Sequence, residues 1–365
     1  MSLATEIIMR FGRMLKKVGW PRQSGSRPHS PIAARVISAA SWAYLLVIIT
    51  VTLLLRLAGD RWWPATLLLF GRRSYSLWPL IILIPAAVYL RRRMPWILSI
   101  SAIIAVWLLM DLCIPWRRAL VHRQSNIRVR VLNLNVHGFD VPSDVLAHFV
   151  NQTNPDLLFL QDAQSRTLAE ALKWGGWNTL HNGNSLLAVA SRYPIRETGN
   201  LTSSIWRFPI VATQYEVDTG HGKLQVFNVH LESPHDAFNS ALAGDGNAAA
   251  LIQANSSIRL MQAMLLAAKA QSTTDPVIIA GDFDTPTDSP LWRQAFGHHF
   301  TDAFEVGGFG FGWTYDHGPS RSRIDHIVMG NGWECRACWV GPDLGSSHRP
   351  VIADLQWNAP ASMGP

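Results

Sequence analysis

Residues 277–286 read VIIAGDFDTP, and the way this short run ends decides how the chain is read. Small and apolar residues make a buried strand, a glycine follows, and Asp282 and Asp284 then stand two apart around Phe283. Residues two apart on extended backbone share a face. The strand therefore delivers two carboxylates to one point at its end.

Other runs in the same half of the chain end in the same way. IRVRVLNLNVHG (127–138) alternates, placing Ile127, Val129, Val131, Asn133 and Asn135 on one face of a half-buried strand. PDLLFLQD (155–162) ends in Gln161 and Asp162, SLLAVASRYPI (185–195) stops near Pro194, and GKLQVFNVHLES (222–233) delivers His230. A helix is expected around 247–271, packing through Leu251, Ile258, Leu260, Met261, Met264 and Leu265. SRIDHIVMG (322–330) and GSSHRPVIADLQW (345–357) follow. The primary sequence has no internal repeat. Strands alternating with a few helices predict an α/β fold of two packed sheets with helices outside. Asn135, Asp162, His230, Asp282, Asp284 and His348 at successive strand ends point to a shared site at one sheet edge.

The N-terminal third has another chemistry. Residues 1–126 hold 17 Lys/Arg against 3 Asp/Glu, and residues 127–365 hold 15 against 22. The basic pI thus belongs to the first part, and the acidic second part disfavours broad electrostatic binding to nucleic acid. Residues 1–35 read as a disordered basic tail. VISAASWAYLLVIITVTLLL (36–55) is 20 uncharged residues, about 30 Å of helix and enough to cross a bilayer. SYSLWPLIILIPAAVYL (74–90) and PWILSISAIIAVWLLMDLCIP (95–115) are the second and third expected spans, and 64–70 is too short to be one. Trp62, Trp63, Trp78, Trp96 and Trp116 sit near the run ends, as an aromatic belt would. Three spans put the basic tail and Arg91–Arg93 in the cytoplasm and the second part outside, with Arg56, Arg61, Arg72 and Arg73 against that bias. Without the second span, the second part faces inward. The expected organisation is a tail (1–35), a membrane domain (36–116), a linker (117–126), a globular domain (127–357) and a short tail (358–365).

In order, LNLNVHG, FLQD, SRYP, NVHLES, GDFD with TPTDSP, RIDHI and SHRPV resemble the motif series of the endonuclease/exonuclease/phosphatase (DNase I-like) superfamily, in its membrane-anchored bacterial form. The resemblance covers residues 127–357. It implies a four-layer α/β sandwich, two packed mixed sheets flanked by helices, and metal-dependent phosphoric ester hydrolysis using Mg²⁺ or Mn²⁺. By motif position it implies Asp162 and Asn135 at the metal and Asp282 on the attacking water. His348 then faces the scissile phosphate, held by Asp325, and His230 is a second phosphate contact and general acid. Asn135, Asp284 and Ser347 would contact substrate. Three positions depart from the family pattern: Asp162 replaces a glutamate, Asp284 an asparagine and Ser347 an aspartate.

Reaction class does not name a substrate. An acidic domain tethered close to a membrane favours a phosphorylated, lipid-linked substrate at the outer face. An anchored extracytoplasmic nuclease or nucleotide phosphatase is the alternative, and a non-catalytic membrane scaffold follows if the departures abolish metal binding. Asp288 reads as a turn or cap residue, and His137, His317 and His326 read as structural or rim histidines. Cys335 and Cys338 read as separate packing residues on opposite strand faces.

Overall fold

The computed structural model describes residues 31–90, 94–116, 127–138, 141–164, 172, 175–182, 186–203 and 209–358. Most of the basic tail, Arg91–Arg93, the 117–126 linker and the chain end from 359 lie outside the described residues.

Leu-, Ala- and Ile-rich sequence, charged only at Arg35 and Arg56, makes α1 (Pro31–Ala58), 28 residues long and thus about 42 Å. Among the described residues it is the one helix long and apolar enough to cross a membrane. A short helix, α2 (Trp63–Phe70), and a 3₁₀ turn, Arg73–Leu77, lead to α3 (Trp78–Tyr89), which carries Pro85 inside it. The return helix α4 (Pro95–Ile103) widens into a π-helical turn, Ile104–Leu109. Neither the 12 residues of α3 nor the return helix reaches the roughly 30 Å of a hydrocarbon core. Both fold back on α1: Ser38 Oγ meets Met94 Sδ at 3.5 Å, and the Tyr44 hydroxyl donates to the Ser76 carbonyl at 2.8 Å. The third expected span ends early because its last residues belong to the globular domain. Asp111 pairs with Arg323 at 2.8 Å, and Cys113 exchanges backbone hydrogen bonds with Gly310. These helices keep many large apolar side chains outward, Leu46, Ile81 and Ile82 among them.

The globular part holds β1 (Ile127–Gly138), β2 (Leu157–Ala163), β3 (Asn178–Asn182), β4 (Leu187–Ser191), β5 (Ile195–Thr202), β6 (Ile210–Asp218) and β7 (Lys223–His230). It continues with β8 (Val277–Asp282), β9 (Thr301–Asp302), β10 (Tyr315–His317), β11 (Ser320–Ser322), β12 (Asp325–Met329), β13 (Trp333–Val340) and β14 (Val351–Trp357). One six-stranded sheet runs β13-β14-β1-β2-β4-β3 and the other β5-β6-β7-β8-β12-β9. Each is antiparallel except for one inner parallel pair, β1 with β2 and β7 with β8. A parallel pair needs a crossover; α5 (Ser143–Thr153) supplies the first, and α6 (His235–Leu242) with α7 (Ala248–Gln271) the second. The two sheets thus repeat one topology that the residues themselves do not repeat.

Val129, Val131, Leu157 and Phe159 meet Tyr215, Val226, Ile278 and Ile327 between the sheets. α5 covers the far side of the first sheet, so β1 is buried on both faces rather than one. α7 and α8 (Pro290–Ala295) cover the far side of the second. Phe159 is fully buried, and Phe159→Ala is expected to cost about 3–5 kcal/mol through lost transfer energy and a cavity, read as a lower guanidinium midpoint.

Two local expectations change. α7 is inverted: Leu251, Met261, Met264 and Leu265 lie outward, while Asn255, Arg259 and Gln262 are buried beside Ile252, Ala263 and Leu266. Its polar face is inward because it holds backbone. Arg259 donates to the Glu232 carbonyl at 3.0 Å, Asn255 to the Ser233 carbonyl at 2.7 Å, and Gln262 accepts from the Glu232 N–H at 2.8 Å. Cys335 and Cys338 both reach the core between the sheets, because a register shift in β13 after Cys335 breaks the alternation.

Candidate active site

The parallel pairs send the C-terminal ends of β1, β2, β7 and β8 to one edge of the sandwich. β12 and β14 run the other way and bring their first residues there, so Asp325 lies in register with Asp282. Between the sheets, chemistry changes in layers toward that edge. Past the apolar core, Gln161 donates to Asn133 at 2.9 Å and to Asn228 at 2.7 Å, and Asn228 donates to the Leu160 and Ala188 carbonyls. This amide layer, with Asn133 Nδ2 and Gln161 Oε1 left without partners, underlies the ionisable layer above it.

Asp282 is the hub. Asn135 Nδ2 donates to its Oδ2 at 2.9 Å, and its Oδ1 accepts the Asp284 N–H at 3.0 Å. His348 Nδ1 and His230 Nε2 lie 3.6 and 3.8 Å from Oδ2. His348 Nδ1 sits 2.9 Å from Asp325 Oδ2, and the Tyr315 ring lies edge-on to the imidazole at 5.0 Å. His230 Nδ1 is 3.4 Å from Asp162 Oδ1 and its Nε2 is 4.0 Å from Asp284 Oδ2. Asp162 and Asp284 hold left-handed backbone, φ 49° and 47°, which Asp tolerates better than most residues and which recurs at functional sites.

The carboxylates set the charge of the histidines. Burial alone would lower His230, but Asp162, Asp282 and Asp284 outweigh it and push it up to about 10. His348 follows the same balance, burial against Asp325 and Asp282, and rises to about 9. Burial, then the Asp325 charge, raises Asp282. Burial and the Asp282 charge push Asp284 up to about 8. A protonated Asp284 offers one donor and one acceptor, much as the asparagine of the family pattern does.

The residues fit a divalent cation. Asp284 Oδ2 and Asp325 Oδ1 are buried without a hydrogen-bond partner. The ligand atoms of His230, Asp282 and Asp284, and those of Asp282, Asp325 and His348, each lie within 4.8 Å of one another. A carboxylate-rich set of this kind suits Mg²⁺ or Mn²⁺. Among the described residues Asp162 stands outside both groups, beside His230, and the Asn135 amide oxygen accepts the His137 N–H at 2.9 Å.

All eight residues named from the sequence come to this edge or its rim. Ser347 is half-buried, and its neighbour Ser346 fixes the loop: Oγ donates to the Asn135 carbonyl at 2.8 Å and accepts the His348 N–H at 3.1 Å. Sequence reading also passed over Ser233, whose Oγ donates to Asp284 at 3.2 Å, and Tyr315. Asp288 lies in a turn, as expected, but caps no helix. It is buried against Arg73 at 2.7 Å, and Ser289 caps α8. His326 is structural as expected, held by Asp302 and the Thr285 carbonyl.

The rim of this edge packs on the N-terminal helices. Phe70 of α2 meets Phe238 of α6 with ring centroids 5.2 Å apart, Tyr315 joins the helices' apolar cluster, and Gly71 bridges Ser320. Arg72 pairs with Asp316 at 2.6 Å, and Asp60 faces the buried Arg259 at 3.5 Å.

Residues 129–348 match the model of the Endonuclease/Exonuclease/phosphatase family. Among solved structures, the chain is similar to a 3′ phosphatase, NExo, from Neisseria bound to a product DNA hairpin. The identity is 15%, the TM-score 0.50, and 63% of this chain and 100% of that one are covered. It is also similar to truncated Caenorhabditis elegans TDP2, at 19% identity and TM-score 0.48 over 64% and 98% of the two chains. An endonuclease/exonuclease/phosphatase family protein from Bacteroides thetaiotaomicron aligns at 14% identity and TM-score 0.47 over 65% and 98%. The likeness to the Neisseria structure, at 15% identity, speaks to fold alone. No curated protein matches the chain.

Proposed function

The chain belongs to the endonuclease/exonuclease/phosphatase family of metal-dependent phosphoric ester hydrolases, and we propose that it is a membrane-anchored member acting on a phosphorylated, lipid-linked substrate. The observation that carries the substrate class is the position of the site. Its rim residues Phe238 and Tyr315 pack on helices that include one of membrane-spanning length. A substrate lying in the adjoining bilayer would reach Asp282 and His348 without leaving it, whereas a soluble substrate would gain nothing from this placement.

In this reading Asp282 orients and deprotonates the attacking water, with Asn135 holding the carboxylate in place. His348, held by Asp325 and protonated at neutral pH, places positive charge against the phosphoryl oxygens. His230, charged through its carboxylate neighbours, protonates the leaving oxygen. Asp284 and Ser347 contact substrate. Asp282 with Asp284 or Asp325 would hold the cation, with Asp162 and Asn135 beside it, and the two protonated histidines stay off the metal. Bound Mg²⁺ or Mn²⁺ would supply Lewis-acid stabilisation of charge on the phosphate.

The proposed topology puts the domain outside the cell membrane. The basic tail precedes α1, Arg91–Arg93 directly precede Met94, which touches Ser38, and the catalytic domain lies at the far end of α1. Positive charge at one end of a spanning helix marks the cytoplasmic side. Of the four arginines that ran against that bias, Arg72 and Arg73 are neutralised by Asp316 and Asp288, while Arg56 and Arg61 remain at the outer end of α1. The test uses the full chain in vesicles with Mg²⁺, offered a polyprenyl pyrophosphate in the bilayer, a soluble aryl phosphodiester and plasmid DNA. Turnover is expected to be fastest on the bilayer substrate and to stop with a chelator. Faster cleavage of DNA would reassign the enzyme as an anchored nuclease.

A further inference from the structure

Where α1 meets the catalytic domain, a cleft of about 360 Å³ opens between its last turn and the start of α8, lined by Arg56, Leu57, Arg61, Pro290, Arg293 and Gln294. Three guanidinium groups share it, and the nearby carboxylates are engaged elsewhere. Asp60 faces Arg259 at 3.5 Å, Asp288 pairs with Arg73 at 2.7 Å, and Asp111 sits 2.8 Å from Arg323 and 3.8 Å from Arg56. Arg56 Nη2 donates to the Leu108 carbonyl at 3.0 Å, but its Nε is buried without a partner. Arg293 donates to the carbonyls of Asp288 and Arg56. Burial and the charges of Arg56 and Arg61 hold it below its ordinary value. The Arg61 side chain makes no hydrogen bond or ion pair among the described residues. Converging arginines with so little counter-charge suit a phosphate, whose oxygens match the guanidinium fork.

The surroundings are those of an amphiphile. Leu57 on the cleft wall and Leu53 one turn back are exposed along the helix of membrane-spanning length. Arginines at the end of such a helix lie at the phosphate layer of a bilayer. A second groove shares Arg61 and Gln294, takes in Asp60, which faces Arg259, and continues to Gln253, Ser257 and Leu260 of α7. α7 is also the helix that turns Leu251, Met261, Met264 and Leu265 outward, and it carries no carboxylate. None of the cleft residues belongs to the catalytic edge.

We propose that Arg56, Arg61 and Arg293 form a non-catalytic binding cleft for the phosphate of an anionic membrane lipid, whose chains run along Leu57 and the outward face of α7. This rests on α1 being the anchor and is independent of the phosphoesterase chemistry.

The test is native mass spectrometry of the full chain released from detergent after equilibration with phosphatidylcholine containing a minority of phosphatidylglycerol, with titration of inorganic phosphate as a parallel arm. The wild type is expected to retain one phosphatidylglycerol in preference to phosphatidylcholine. Arg61→Gln with Arg293→Gln is expected to weaken that retention at least about ten-fold, the loss of two charge-assisted contacts. If the double variant melts early, Arg61→Gln alone decides, because its side chain holds nothing in place. Equal retention of the two lipids, or unchanged retention in the variants, overturns the proposal. Inorganic phosphate that binds the wild type, displaces the lipid and fails to bind the variants keeps the phosphate site but overturns the lipid as its source. No readout involves hydrolysis, so failure here and failure of the catalytic reading are distinguishable.

Discussion

Asp282→Ala is expected to lower turnover of any phosphate ester by about four orders of magnitude, the upper end of what a positioned base contributes. The size follows from how much converges on one side chain. Asp282 accepts from Asn135 at 2.9 Å and from the Asp284 N–H at 3.0 Å, lies within 4 Å of both histidines, and is the residue common to both possible ligand groups. Removing it would remove the proposed base, loosen Asp284 and take away a carboxylate that keeps His230 and His348 protonated. Asp282→Asn keeps the shape but can neither take a proton nor supply the charge, so its loss should approach that of alanine. Calorimetry with Mn²⁺ should show weakened binding in both variants, while thermal unfolding confirms that the fold survives. Turnover within about ten-fold of wild type in both would move the base elsewhere.

The catalytic edge was legible because its signals are local. Strand period and terminal residue type both lie within a few residues of Asn135, Asp162, His230 and Asp282, so a two-residue repeat suffices to place them. What was misread depends on partners far away in the chain. α7 has a clear apolar stripe, but helical periodicity cannot say which stripe faces in when the polar one is needed by Glu232, Ser233 and Asp60. Asp288 is the turn residue expected, but its ion pair with Arg73, 215 positions earlier, leaves no local signal. Hydropathy counted residues 110–115 as membrane because it registers apolarity, not Asp111 against Arg323 or Cys113 against Gly310. Ser346 was passed over because the motif departure drew attention to Ser347, and only the folded loop shows that its hydrogen bonds fall on Ser346.

His348→Ala is expected to reduce turnover by about three orders of magnitude, and Asp325→Asn by about two, the range for a proton-transferring or charge-stabilising side chain and its orienting partner. Asp325 reaches His348 at 2.9 Å and is buried. If it acts through the ring, the double variant should be no slower than His348→Ala alone, a non-additivity that independent roles would not give. The pH profile supplies the sign. Burial lowers the His348 pKa, yet Asp325 and Asp282 carry it up to about 9, so the imidazolium predominates at neutral pH. Activity that depends on it is level below that value and falls as pH rises through about 9. Asp325→Asn withdraws the foremost raising charge, so the alkaline fall should move to lower pH. The Asp162–His230 pair is untouched by this change and should hold its own ionisation near 10. If Asp325 merely braced β12, its loss would depress the rate at every pH and leave the alkaline limb in place. A limb that moves, together with a double variant that adds nothing, assigns Asp325 to His348 rather than to the strand.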